Sequence, residues 1–447
     1  MQFKQYPSYK NSGVEWLGNV PEHWEVVRLD GAYKIVRGNT GFSKADLLEK
    51  GQYVALQYGK TYKVDEINNY FTSYVNQEFF KVTQIAEFED VILISTSETL
   101  EDLGHSCFYA RQDIGLIGGE QFLLKPNQKD TLGKYLYYST KVFSRYLHKY
   151  ATGTKVYRFN IDDLKTIYIP KLSSFDQQKI VSFLDTETAR IDTLIAKQEK
   201  LIELLEEQRK SIISHAVTKG LNPNAPMKDG GVEWLGEVPE HWMTPSSKHL
   251  LEIPITDGPH ETPNFVDDGV PFISAEAISK GKIDFDKKRG YITPELNAIY
   301  SKKYSPKIED IYMVKSGATT GKVAMVETTE EFNIWSPLAV FRCNKNKVLP
   351  KFLLAVFNSS HFYDALVLNW SYGTQQNIGM GVLSNIEIPC PPLKEQAEII
   401  QHLDAQNTKF DKLISTQSQL IEKLKEYRSS IISHAVTGKI DVREFSA

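Results

Sequence analysis

Gly13-Val-Glu-Trp-Leu-Gly-Asn-Val-Pro-Glu-His-Trp24 returns as Gly231-Val-Glu-Trp-Leu-Gly-Glu-Val-Pro-Glu-His-Trp242, differing only at Asn19 and Glu237. The displacement is 231 − 13 = 218 residues. A second block, Ser211-Ile-Ile-Ser-His-Ala-Val-Thr218, returns as Ser430-Ile-Ile-Ser-His-Ala-Val-Thr437, displaced by 430 − 211 = 219. Two separate blocks whose offsets agree to one residue define a tandem duplication, each copy about half of the chain. The interiors, from about 28 to 165 and from 246 to 383, share little identity. Weak landmarks persist there: Glu89-Asp90 with Glu309-Asp310, Gly153-Thr154 with Gly373-Thr374, and Pro170 with Pro389. A common fold carrying two different surfaces follows.

Each interior mixes short β-type runs, such as Val91–Ile94 and Val323–Val326, with one helical stretch, Leu132–Leu147 or Leu349–Leu366. The expected class is α+β. After Pro170 and Pro392 the pattern turns helical for about 40 residues nearly free of Gly and Pro. Apolar residues recur at Ile191, Leu194, Leu201, Leu205 and Ile212, and again at Phe410, Leu413, Leu420, Leu424 and Ile431. Gln198 and Gln208, and Gln417 and Tyr427, complete these stripes, which read as a heptad seam. A helix over 176–214 extends roughly 58 Å. Its charged flanks require an apolar partner for the seam, and the other long helix supplies one. An antiparallel pair suits the connectivity and places the two variable domains at opposite ends of a rod. The expected boundaries are 1–170 and 220–389 for the variable domains, with the helices in 171–219 and 390–440.

A chain of 447 residues exceeds what one hydrophobic core organises, and 41% apolar content excludes general disorder. Cys107, Cys343 and Cys390 show no paired zinc spacing and fit no complete disulfide framework, pointing to a reducing, cytoplasmic setting. No apolar run reaches the roughly 18 residues of a membrane span, and the N-terminus is polar, so neither a signal peptide nor an anchor is expected. The net charge of −4 argues mildly against a free-standing DNA-binding domain, less so where partners supply basic surface.

The motifs resemble the specificity (S) subunits of type I restriction-modification enzymes. Both Gly-Val-Glu-Trp-Leu-Gly-x-Val-Pro-Glu-His-Trp segments are similar to the opening of each target-recognition domain in that family. Pro391-Pro-Leu-Lys-Glu-Gln396, and more loosely Lys171-Leu-Ser-Ser-Phe-Asp-Gln177, resemble the entry into its helical regions. Thr256-Asp-Gly-Pro-His-Glu-Thr-Pro263, Gly269-Val-Pro-Phe-Ile-Ser274 and Lys315-Ser-Gly-Ala-Thr-Thr-Gly-Lys322 resemble recurrent target-recognition segments. The resemblance covers essentially the whole chain. It implies that each variable domain reads one half of a bipartite, asymmetric site in double-stranded DNA. It further implies that the helices set the spacer and dock two methyltransferase (M) subunits, which restriction (R) subunits join. S-adenosylmethionine would belong to the M subunit, ATP and Mg2+ to the R subunit, and no cofactor or metal to this chain. The first domain departs from the pattern, with Ser95-Thr-Ser-Glu-Thr-Leu100 in place of the glycine-rich loop.

Lys315–Lys322 is not a nucleotide loop. Three residues separate Gly317 from Gly321 where four are needed, and Val323 replaces the magnesium-binding hydroxyl. Its small residues suit either a plain connection or a loop that offers backbone amides, with Lys315, Ser316, Thr319, Thr320 and Lys322, to phosphates. Thr374, Gln375, Gln376 and Asn377 stand where the first copy has Thr154, Lys155 and Arg158, and differ as two readers of different half-sites should. Gln and Asn pair bidentately with adenine, Arg and Lys with guanine. Gln57, Tyr58 and Lys60, and Ser274 with Glu276, follow equivalent strands and are weaker candidates. His260 suits a DNA contact or a structural turn; His23 and His241, packing or capping; His215 and His434, the negative end of a helix dipole. No Asn-Pro-Pro-aromatic motif, S-adenosylmethionine loop, helicase set or nuclease carboxylate cluster occurs, so a non-catalytic role is expected. Two alternatives remain: a specificity module for a fused methyltransferase-nuclease, and a coiled-coil adaptor that binds no DNA.

Overall fold

The computed structural model describes residues 3–127, 131–279, 281–369, 371–372 and 376–445. The chain forms two compact units, one of residues 1–198 with 419–447 and one of residues 199–418. Each long helix, Ser174–Lys219 and Leu393–Val436, contributes one part to each unit.

The first unit holds a five-stranded sheet in the order Tyr33–Arg37, Gln121–Pro126, Val91–Ile94, Ser106–Tyr109, Glu66–Ile67. The second unit repeats its first four places as Thr256–Asp257, Leu338–Phe341, Ile311–Val314, Val323–Met325. A second sheet also recurs, built on the parallel pair Tyr53–Leu56 with Gly115–Ile117 in one unit and Val270–Ile273 with Asn333–Ile334 in the other. The central strands Val91–Ile94 and Ile311–Val314 are buried along their whole length, which explains their unbroken apolar runs.

The Glu-Asp landmarks prove structural. Glu89 and Glu309 adopt left-handed turns at φ 73° and 70°, entering those central strands. The aspartates that follow are buried against a cation in or just past the neighbouring strand: Asp90 with Lys125 at 2.5 Å, and Asp310 with Arg342 at 2.7 Å. A glycine recurs for a similarly local reason. At Gly38 a Cβ would stand 1.8 Å from the Gly118 carbonyl oxygen, and at Gly258 2.0 Å from that of Ile334, so the backbones approach too closely for any side chain.

The family-like entry into each long helix is a tie to its domain. Buried Gln177 accepts from the Leu132 N–H (2.9 Å) and donates to the Leu172 carbonyl (3.1 Å). Gln396 likewise accepts from Leu349 N–H (2.8 Å) and donates to Pro391 (2.8 Å) and Lys347 (3.0 Å). Each glutamine thereby satisfies a backbone group at the start of the shorter helix, Gly133–Leu147 or Pro350–Phe357, that packs beneath.

Within each unit the long helices run antiparallel. Arg428 binds Asp192 at 2.8 and 3.1 Å in the first unit, and Arg209 binds Asp411 at 2.5 Å in the second. These are one pair seen twice, since 192 + 219 = 411 and 209 + 219 = 428.

The seam itself is corrected at every second place. Leu201, Leu413 and Leu420 are 39%, 46% and 39% exposed, and Leu194 is only partly covered. The inward stripe runs Gln177, Ile180, Leu184, Thr188, Ile191, Ile195, Gln198, Ile202, Leu205, Arg209, Ile212, Ala216, and identically spaced from Gln396 through Phe410, Ile414, Gln417, Ile421 and Leu424 to Ile431 and Ala435. Ile191, Leu205, Ile212, Phe410, Leu424 and Ile431 keep their places on it. Doublets such as Leu201-Ile202 allow either phase; the choice is made where the stripe starts, in the domain core at Ile180, Leu184 and Ile191, from which a heptad spacing propagates.

Candidate nucleic-acid interface

In each unit the central strand ends at a rim assembled from segments distant in sequence. In the first, Thr96–Ser97 pairs antiparallel with Tyr157–Arg158, Thr96 opposite Arg158. The latter belongs to a tight hairpin closed by two bonds of 3.0 Å between Thr152 and Arg158, with Gly153 at φ 110° and with Thr154 and Lys155 exposed at its tip. In the second, Ser316 bridges to Asn377, the Gly317 N–H donates to the Gln376 carbonyl (3.1 Å), and the Ile378 N–H donates to Lys315 (2.8 Å). Thr374 and Gln375 lie outside the described residues. The structure thus joins Lys315–Lys322 to Gln376 and Asn377, and Ser95–Leu100 to Arg158, pairings no local motif contains.

Side chains on the two rims differ in charge state. On the first, Lys60, Lys155 and Arg158 are exposed, and among the described residues none forms an ion pair. Gln57 and Tyr58 are half-buried at the end of strand Tyr53–Leu56. The Tyr58 ring stacks on Tyr62 at 6.1 Å, and burial, reinforced by Glu98, pushes its phenol up. Glu120, left-handed at φ 63°, accepts the Thr96 hydroxyl.

On the second rim, buried Asp257 gathers Lys303 (2.7 Å), Lys315 (2.8 Å) and His260 (3.1 Å). Burial alone would raise its carboxyl, but the two ammonium groups hold it below the ordinary value. Lys315 is therefore engaged inside the protein, contrary to its reading as a phosphate contact. The amide cradle narrows to part of the loop. The N–H groups of Lys315, Gly317, Thr320, Gly321 and Lys322 all bond to carbonyls of the protein, and Thr320 is buried with its hydroxyl on Gly317 (2.7 Å). Ser316 and Thr319 remain half-buried, and Lys322, Gln376 and Asn377 are exposed, so the loop offers these side chains beside the few amides not bonded above. Ser274 is buried, and Glu276 pairs with Arg289 at 3.3 Å.

Residues the sequence reading passed over are Arg37, Asp257 and Lys303. Arg37-Gly38 and Asp257-Gly258 occupy the same place on the edge strand, opposite Phe122 and Ala339 respectively, and the shared glycine was the signal that aligns them.

The Gly-Val-Glu-Trp segments are packing devices away from these rims. His241 and the Trp242 indole N–H both bind Glu395, at 2.8 and 3.1 Å. In the first copy the equivalent acid is the shorter Asp176, and the buried Trp24 indole N–H has no partner among the described residues. Each long helix ends on a left-handed glycine, Gly220 (φ 75°) or Gly438 (φ 71°), beside these tryptophans. Lys219 donates to the Glu237 carbonyl and Lys439 to those of Asn19 and Leu17, so the C-terminal segment closes the first domain as the central linker closes the second. Cys107, Cys343 and Cys390 are buried free thiols. No described helix is long and apolar enough to cross a membrane.

Comparison with known proteins gives a consistent result. The type I restriction modification DNA specificity domain matches residues 21–204 and again 239–426. The chain is 25% identical over 455 residues to the type I restriction enzyme MjaVIII specificity subunit of Methanocaldococcus jannaschii, covering 100% of this chain and 99% of that one. It is 20% identical to the EcoKI specificity subunit of Escherichia coli strain K12, covering 95% and 90%. Among solved structures, a chain from work on complex assembly and conformational transition of the type I R-M system aligns with TM-score 0.65 at 17% identity, over 93% of this chain and 98% of that one. That likeness shows the shared fold.

Proposed function

Because this chain belongs to the family of type I restriction modification DNA specificity domains and carries that domain twice, we propose that each unit reads one half of a bipartite, asymmetric sequence in duplex DNA. The variable domains, residues 1–170 and 220–389, are the readers. The helices in 171–219 and 390–440 set the gap between half-sites and dock two methyltransferase subunits, to which restriction subunits add. The chain is non-catalytic: base flipping and methyl transfer from S-adenosylmethionine take place on the methyltransferase subunits, and ATP with Mg2+ serves the restriction subunits. Such a complex works in the cytoplasm.

The observation that carries this reading is the pair of rims: one backbone frame, repeated by register, bearing different polar side chains. Base edges are distinguished by side-chain donors and acceptors, so a shared frame with exchanged side chains is what two readers of unlike sequences require. Repeated exposure of Leu201 and Leu420, with Leu413, supports docking of two copies of one partner on equivalent helix surfaces.

Methylation mapping in cells co-expressing the chain with its methyltransferase partner tests the proposal. A split motif with an unread gap is expected, and exchange of residues 28–165 for another such domain should alter one half alone. A continuous motif, or loss of both halves on exchange, overturns it; failure to retain duplex DNA with partners present supports the adaptor alternative.

A further inference from the structure

The two rims compare place by place, because the ladders fix the correspondence. At the edge stand Arg37 and Asp257; next, Ser95 and Lys315, whose N–H groups donate to Glu120 (3.1 Å) and Pro337 (2.7 Å). Then come Thr96 and Ser316, and last Arg158 and Asn377 across the hairpin pairing. The backbones at the edge are pinned alike by the crowded glycines Gly38 and Gly258. The exchange of Arg37 for Asp257 is therefore a change of chemistry on a fixed frame.

The consequences run opposite ways. In the second unit the acid turns inward on its own rim, holding Lys303 and Lys315. In the first unit the same register position carries a guanidinium, and strand alternation sends it to the side where Asp257 meets Lys315. Arg37 is exposed and, among the described residues, forms no hydrogen bond or ion pair through its side chain. Glu120 on this rim accepts from Thr96, and neither it nor Glu98 forms an ion pair with Arg37. A planar, permanently charged donor fork, left without a partner on a reading rim, matches the O6 and N7 acceptors of guanine.

Resting on the bipartite reading above, we propose that Arg37 is a specificity-determining residue of the first unit, reading a guanine in its half-site at the place where the second unit has an acid. The second unit makes no such cationic contact at this place.

The test uses the full chain co-expressed with its methyltransferase partner and genome-wide methylation mapping, with the half-site of the first unit assigned by exchange of residues 28–165. If the unaltered chain gives no split motif, the bipartite reading fails, and this inference with it. If it does, Arg37→Ala and Arg37→Gln should each make one guanine position of the first half-site degenerate, with about a ten-fold or greater loss of discrimination there, while the second half-site is unchanged. Arg37→Lys should keep part of the preference. A motif unchanged in both Arg37→Ala and Arg37→Gln overturns the proposal, including the case of uniformly weaker, less salt-dependent methylation that marks a phosphate contact. So does a change confined to the second half-site. The side chain is solvent-exposed, so melting of both variants should match the parent.

Discussion

On the shorter helix of the first unit, Tyr137 and Tyr138 are buried, Tyr138 donating its hydroxyl to Asp185 of the first long helix at 2.5 Å, while Phe108 packs on Tyr137 from the strand side. The second unit has Leu354, Ala355 and Met325 at these places, and there an open groove of about 710 Å3 lies between the shorter helix and the long helices. The flanking ion pair is nonetheless the same, Lys134 with Asp185 at 3.4 Å and Lys351 with Asp404 at 3.1 Å. Backbone frame and polar ties are thus held constant between the copies, while filling and surface vary. The ties satisfy buried backbone groups that any variant of the domain must satisfy, whereas side-chain volume is free to drift where the space opens to solvent.

The largest expected effect breaks this filling. Tyr138→Ala should lower the stability of the first unit by about 3 to 5 kcal/mol, as removal of a buried aromatic does. The reciprocal Ala355→Tyr should change the second unit by less than about 1 kcal/mol, because the space is already open. Denaturant unfolding followed in each unit checks both; comparable losses would show that the two spaces are not equivalent.

A smaller effect sharpens the comparison at the tryptophans. Asp176→Glu should give the Trp24 indole the acceptor that Trp242 finds in Glu395, adding about 1 kcal/mol to the first unit. Glu395→Asp should remove a similar amount from the second. If neither moves the unfolding midpoint, the extra methylene is not what separates the copies.

The smallest difference lies in acid response at the rims. The Asp257 carboxyl is depressed below its usual 3.8 by Lys303 and Lys315. Its contribution to stability is then complete above that value and is lost as the pH falls through the lower native one. The second unit should lose this increment on acidification, and Asp257→Asn should remove that part of the pH dependence, read from unfolding midpoints across the acid range. The first unit, with Arg37 at the position, should show no such loss from this place.

Much of this was legible in the sequence. The duplication, the α+β class, the helix periods and the family motifs are local patterns, and each survives in the structure. Sequence and structure part where two local solutions are equal. Leu194-Ile195, Leu201-Ile202, Leu413-Ile414 and Leu420-Ile421 offer two stripes of nearly identical hydrophobicity, and the chosen one follows from the core at the helix start. At the rim, Lys315 looked available because its partner Asp257 lies 58 residues away. Arg37 carried no motif and was overlooked for the same reason.

By itself, then, the sequence determined that one frame occurs twice, because repeated blocks and a 3.5-residue period are properties of neighbouring residues. Only the tertiary structure decided which apolar residues face inward, which charges are neutralised, and which side chains share a rim. Those outcomes depend on strand pairing and core packing between segments far apart in the chain, whose energies no local window contains.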